Sequence, residues 1–179
     1  MQRVNTHYAR VDAVLDGYRD KIAADASGYR NHVYRTLNYY AKLSGTEDVP
    51  ESVLIAASFH DIGIWTARTF DYIGPSVAEA LLWLEANSLD GLAPEVRALI
   101  EHHHKVRRYS AAFDSHVEAY RRADLVDLSL GLRRFGVPRS FIATVKAAFP
   151  NAGFHRLLLR LAARRFLRHP LKPLPMLRW

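Results

Sequence analysis

The chain contains no cysteine among its 179 residues. That excludes disulfides, thiolate metal sites and cysteine nucleophiles, so any bound metal must rest on His, Asp and Glu. No apolar run reaches the ~18 residues that a membrane-spanning helix needs. The opening residues, MQRVNTHYAR, lack an apolar segment of the signal-peptide kind, so the expectation is an intracellular, cytoplasmic protein. No stretch shows clear apolar–polar alternation, which argues against sheet. Internal repeats and low-complexity linkers are also missing, and the length suits one domain.

What is present is helical periodicity. With 49% hydrophobic residues the chain can bury a substantial core. Residues 4–26 read as one amphipathic segment, broken by Ser27 and Gly28. A second helix covers 29–43 and stops at Ser44 and Gly45. Pro50 opens a third, over 51–60, and Gly63 ends it. Pro75 opens a helix over 76–87, and Pro94 opens another from 95 to about 106. Further helices cover 115–130, a segment opened by Pro138, and 152–167. The prolines at 170, 173 and 175 then rule out helix, so the tail should lie extended on the surface or against a partner. The fold class expected is an all-α bundle.

The net charge of +7 favours an anionic partner only weakly, because arginine concentrates at Arg133, Arg134 and from Arg156 onward. Arg156, Arg160, Arg164 and Arg168 form a basic stripe, with Phe154, Leu157, Leu158 and Leu161 on the apolar face. Such a helix can bind a membrane surface or nucleic acid. The favoured expectation is that its apolar face packs on the bundle and its arginines are solvated.

The chemistry centres on His60 and Asp61, which end a strongly apolar helix. An aspartate is seldom buried unless it is paired or bound to metal. Adjacent helical residues point ~100° apart, and a helix end relaxed by Gly63 lets both turn toward one point. Asp124 shares a face with Val117 and Tyr120, and His32 lies among Tyr29, Val33, Thr36 and Tyr39. His32 alone fits a satisfied core histidine; together the two His and two Asp match the ligand set of a divalent ion.

On these residues the chain resembles the HD-domain superfamily of metal-dependent phosphohydrolases. The resemblance rests on His32 within residues 29–34, and on His60, Asp61, Ile62 and Gly63. It continues with Ile100, Glu101, His102, His103, His104 and Lys105, and ends at Ala123 and Asp124. It covers roughly residues 25–130. It implies an HD-type helical bundle with His32, His60, Asp61 and Asp124 holding a divalent Fe, Mn, Co, Ni or Zn ion. The expected organisation is an N-terminal helix over 1–26, a metal-binding core over 27–150, and a basic helix with its tail over 151–179 packed on that core.

Two departures narrow this. Family nucleotidases carry Glu three residues after the aspartate, where this chain has Ile64. Two-metal members carry a further His between the pair and the later histidines, whereas residues 62–101 contain none. The expectation is therefore one tightly held metal, with a weaker second metal or substrate site at Asp71, His102 and His103. Asp71 and then His103 are the candidates for proton transfer, although Asp71 could equally cap the following helix. Arg35, Lys105, Arg107 and Arg108 are candidates for holding an anionic substrate, or are solvated charges. Asp127 could orient a ligand or pair with an arginine such as Arg121. Trp65 could wall the pocket. The expected activity is hydrolysis of a small anionic phosphoester. The alternatives are a cyanamide-hydratase-like reaction on a non-phosphate, or a regulatory module with a structural metal. A homo-oligomer is compatible with all of them.

Overall fold

Helix α3 (Ala26–Ser44) is the spine of the structure, a computed structural model that describes residues 3–171 and 174–177. It is buried on nearly every side, carrying Tyr29, His32, Val33, Arg35, Leu37 and Tyr40 inward. A helix buried all round has polar residues inside, and those need partners. Gly45 closes it in the left-handed conformation, at φ 74°, as Ser44 and Gly45 suggested.

Before the spine come α1 (Ala9–Gly17) and the short turn α2 (Arg19–Ile22). The expected single segment over 4–26 is thus broken, at Tyr18 and at Ala23, where φ is 54°. Ser27 and Gly28 do not break anything; they lie inside α3. Gly28 is small for another reason. A Cβ there would meet the Ala152 carbonyl oxygen at 3.0 Å and the Phe154 nitrogen at 3.4 Å, so the glycine lets the chain before the last helix approach the spine.

Around the spine lie α4 (Glu51–Phe59), α5 (Gly63–Thr66), α6 (Ile73–Ala86), α7 (Ala93–His102), α8 (Asp114–Leu128), α9 (Arg139–Ala148) and α10 (Phe154–Arg168). Pro50 and Pro138 precede α4 and α9, and Pro94 sits in the first turn of α7, as expected of helix-opening prolines. α8 lies along α3 as its principal partner, while α4 packs on α1, α6 and α7. Gly63 starts α5 rather than ending a helix: its Cβ would sit 2.5 Å from the Tyr72 carbonyl oxygen, and its N–H donates to Ser76 Oγ at 2.9 Å. The described residues thus form one all-α bundle without a β-strand. Among them, no helix is long and apolar enough to cross a membrane.

α10 is attached mainly through its first turn, where Phe154 is buried. Leu158 and Leu161 pack more loosely against Ile64, Tyr72, Ile73 and Met176. Arg156, Arg160, Arg164 and Arg168 are exposed. The tail folds back onto the molecule through Met176; the tail expectation for residues 172–173 and 178–179 lies outside the described residues.

Candidate metal centre

Two helices and one turn converge on one point. His32 projects from α3, and Asp124 from α8. His60 and Asp61 occupy the turn between α4 and α5, where the helix has already ended, so both side chains can face the same way. The His32 and His60 Nε2 atoms lie 2.9 Å apart. Asp124 Oδ1 is 3.4 Å from the first and 3.8 Å from the second. Asp61 Oδ2 is 3.7 Å and 3.4 Å from the same two atoms. All four residues are essentially inaccessible to solvent.

The outer nitrogens decide what the inner ones can do. His32 Nδ1 donates to Asp127 Oδ2 at 2.7 Å, and His60 Nδ1 donates to the Ala57 carbonyl at 2.8 Å. Carbonyl and carboxylate oxygens only accept, so in both rings Nδ1 carries the proton. Two bare Nε2 lone pairs therefore meet, and that contact needs a cation or an added proton between them. Burial pushes His60 down to about 3, against the pull of Asp61 and helped by His32 and His103, which keeps it neutral. Burial, with Asp61 and Asp127 nearby, pushes the Asp124 carboxyl well above the ordinary range. Both Asp124 oxygens and Asp61 Oδ1 are buried without a hydrogen-bond partner. Unpaired buried carboxylates are costly, and a cation removes that cost.

The spacing fits the same conclusion. Donor atoms bonded at about 2.1 Å to one ion stand about 3.0 Å apart at right angles and about 3.4 Å apart at the tetrahedral angle. The donors of His32, His60, Asp61 and Asp124 lie between 2.9 and 3.8 Å in the pairs given above. The donor atoms of His32, His60 and Asp61 all lie within 4.8 Å of one another and could hold a metal ion, with Asp124 Oδ1 beside the two imidazoles.

No family model, curated protein or solved structure matches this chain.

A second group shares Asp61 with the first and joins it to His103 and His104. His103 Nδ1 donates to the Ile100 carbonyl at 2.6 Å, so its Nε2 is also bare. That atom is buried without a hydrogen-bond partner, 3.6 Å from Asp61 Oδ1. His104 turns Nδ1 toward Asp124 Oδ2 at 3.4 Å and shares a hydrogen bond with the Tyr72 hydroxyl at 2.8 Å.

The remaining expectations sort themselves against this geometry. Arg35 does not face a substrate. It is 2% exposed and forks onto Asp127, Nε to Oδ1 at 2.6 Å and Nη2 to Oδ2 at 2.8 Å, with Nη1 donating to the Phe149 carbonyl at 3.1 Å. Burial opposes the ionisation of Asp127, but hydrogen bonds from His32 and Arg35 overcome it and hold the carboxyl far below its usual range. Asp127 thus pairs with Arg35 and orients His32; Arg121 instead holds Glu118, at 2.8 Å. Asp71 is exposed and outside the centre, its backbone N–H bound to Thr69 Oγ1. His102 also stands apart, packed against Tyr109 at 4.8 Å between ring centres. The second group therefore contains His104 in place of Asp71 and His102. Trp65 packs on Tyr29 and donates to Asp25, away from the cavity.

A cavity of about 650 Å³ opens beside Asp61, Tyr72, His103 and His104. Lys105 and Arg133 line it, whereas Arg107 and Arg108 border a separate groove with His102. Residues that the sequence did not single out for this place include Tyr72, Arg133, His155 and Phe154, whose ring stacks on His32 at 4.2 Å. Tyr72, Arg133 and the Phe154–His155 pair reach the site from three separate parts of the chain, so no local spacing marks them.

Proposed function

We propose that this protein is a divalent-metal-dependent hydrolase of the HD-domain type, acting on a small anionic phosphoester. The observation that carries the proposal is the set of imidazoles that spend Nδ1 on fixed acceptors and turn bare Nε2 atoms inward, beside unpartnered carboxylate oxygens. Outer acceptors that fix ring orientation are a recurrent feature of histidine metal ligands. The order of the residues along the chain, His32, then His60 and Asp61, then His103 and His104, then Asp124, supports the HD resemblance.

A divalent ion held at such a centre supplies Lewis acidity and makes water acidic enough to ionise near neutral pH. His32, His60, Asp61 and Asp124 would hold it, and the shared Asp61 with His103 and His104 would hold a second. Asp127 keeps His32 in the tautomer that leaves Nε2 free. Lys105 and Arg133, which line the cavity, would attract the anionic group, and Tyr72 holds the orientation of His104. His103, which lines the cavity, is the group placed to move a proton at Nε2 when it is not a ligand.

A second reading is hydration or hydrolysis of a non-phosphate substrate. It draws on Ile64, buried among Tyr72, Ile73 and Met176 at the place where the resembling nucleotidases carry Glu. The test is turnover of phosphoester and non-phosphate panels by protein loaded in turn with Mn, Fe, Co, Ni and Zn. Metal-dependent phosphate release that is lost in His60→Ala supports the first reading. Turnover confined to nitriles, cyanamides or amides supports the second, and no turnover with any loaded form removes both.

A further inference from the structure

We propose that the ligand of this cavity is a single-chain anionic amphiphile, with its head at the Asp61, His103 and His104 edge and its alkyl or acyl chain along α8, α10 and the tail. The inference rests on the metal-site reading for the place of the head; the chain's place rests on the cavity itself.

The two ends of the cavity differ in chemistry. Around Asp61, His103 and His104 the lining is polar and continues into Lys105, the residue after His104, and Arg133 supplies a second cation to the same cavity. An ammonium next to a cation site, with a guanidinium lining the same cavity, favours an anionic head group. The rest of the wall is hydrocarbon. Leu125 and Leu128 come from α8, Leu158 and Ala162 from α10, and Met176 and Leu174 from the tail. The one further polar group among the described lining residues is His155, and its Nε2 is used in donating to the Asp127 carbonyl at 2.9 Å. A nucleoside or sugar phosphate would press hydroxyls and ring nitrogens against these walls without partners, and unpartnered polar groups oppose binding. An alkyl chain meets no such penalty and gains by leaving water.

The size and the rim agree. About 650 Å³ is far more than a bare phosphate needs and falls in the range of sites that enclose a whole organic ligand. At the rim, Leu159 is 72% exposed, Val106 47% and Leu174 42%, and Phe135 and Leu177 are exposed beside them. Apolar surface gathered at the mouth of one cavity marks a place where apolar matter is bound. It is also continuous with the metal-centre edge, so one molecule can satisfy both ends.

The test is equilibrium binding of ethyl-, butyl-, hexyl- and octylphosphonate to the full-length, Mn-loaded protein by titration calorimetry, each below its micelle concentration. The C–P bond is not a phosphoester bond, so binding is read without turnover. Kd is expected to fall about fourfold for each added methylene. Leu159→Glu and Leu174→Glu change residues already in water, so the fold should persist. They are expected to flatten the dependence on chain length, with a larger loss of affinity for octylphosphonate than for ethylphosphonate. Arg133→Gln should weaken every member by the same factor. A Kd that does not vary with chain length, or no binding at all, overturns the proposal. So does a chain-length dependence that survives both leucine replacements. Chain-dependent binding by a protein that hydrolyses no phosphoester keeps this inference and removes the hydrolase; hydrolysis with a flat series does the reverse.

Discussion

The candidate metal centre has a closed end and an open end, and they are built differently. At the closed end, His32, Asp124, Asp127 and Arg35 lie between α3 and α8, each at most 2–3% exposed. Every outer contact there is specific: Asp127 accepts from His32 and twice from Arg35, and Arg35 goes on to backbone carbonyls. At the open end, His103 and His104 sit in a turn, and the wall opposite is a loosely attached helix and a returning tail. The difference separates two uses of buried charge on one helix. Where a charge is fully partnered, as at Asp127 and Glu118, it holds structure. Where a carboxyl is left unpartnered, as at Asp124, burial disfavours its charge, and a bound cation would offset that cost.

The comparison breaks first at Asp127. Asp127→Ala leaves the Arg35 guanidinium buried and unpaired, and should lower stability by about 3–5 kcal/mol in denaturant unfolding. Replacing Arg35 and Asp127 together with leucines should recover much of that stability. It should not recover metal affinity, expected to stay about 10–100-fold below the parent because His32 has lost its acceptor. If the double variant binds metal as the parent does, Asp127 does not orient His32.

Removing a donor should act on metal more than on fold. Asp124→Asn or His60→Ala should weaken metal binding by more than about a hundredfold, beyond the range expected for outer partners. In Asp124→Asn the metal-free protein should melt no lower than the parent, since the substitution removes a buried carboxylate whose charge burial disfavours. A matching melting-temperature gain with metal in both proteins would contradict the role given to Asp124.

Gly63→Ala should cost about 1–3 kcal/mol, because its Cβ would lie 2.5 Å from a backbone oxygen and the α5–α6 junction must shift. Smaller still is the effect at Glu118. Burial opposes its ionisation, but hydrogen bonds from Arg121, the Tyr109 N–H and Arg122 hold it down, to about 2. A carboxyl held below its unfolded value contributes stability that is full above the ordinary glutamate range and is lost as pH falls toward about 2. Glu118→Gln should therefore flatten the acid limb of the stability profile in that window. At the open end, Leu159→Glu should change stability by less than about 0.5 kcal/mol while altering ligand binding.

The same division sets how much was legible in the sequence. His32 and Asp124 lie within helices, where the 3.6-residue period tells which side faces inward. The all-α class and most helix starts followed from the same period and from the prolines. The histidine run was harder. α7 ends at His102, so His103 and His104 sit in a turn and no helical phase applies to them. Reading that helix on to about residue 106 favoured His103 and His102 over His104, whereas His103 and His104 are the pair beside Asp61. Arg35 shares the inward side of α3 with His32, but its partner is 92 positions away and nothing local announces it. Gly28 and Gly63 look like helix breakers because sequence shows the missing side chain and not the backbone that needs the space.

The central claim is that bare imidazole nitrogens and unpartnered carboxylates at His32, His60, Asp61 and Asp124 form a metal site. Metal content and melting temperature of protein purified without chelator test it most directly. The expected result is at least one divalent ion per chain, or uptake of one on adding Mn, Fe, Co, Ni or Zn, with a melting temperature that rises as metal is added. Protein that carries no metal, takes up none of the five and melts at one temperature with or without them would contradict it.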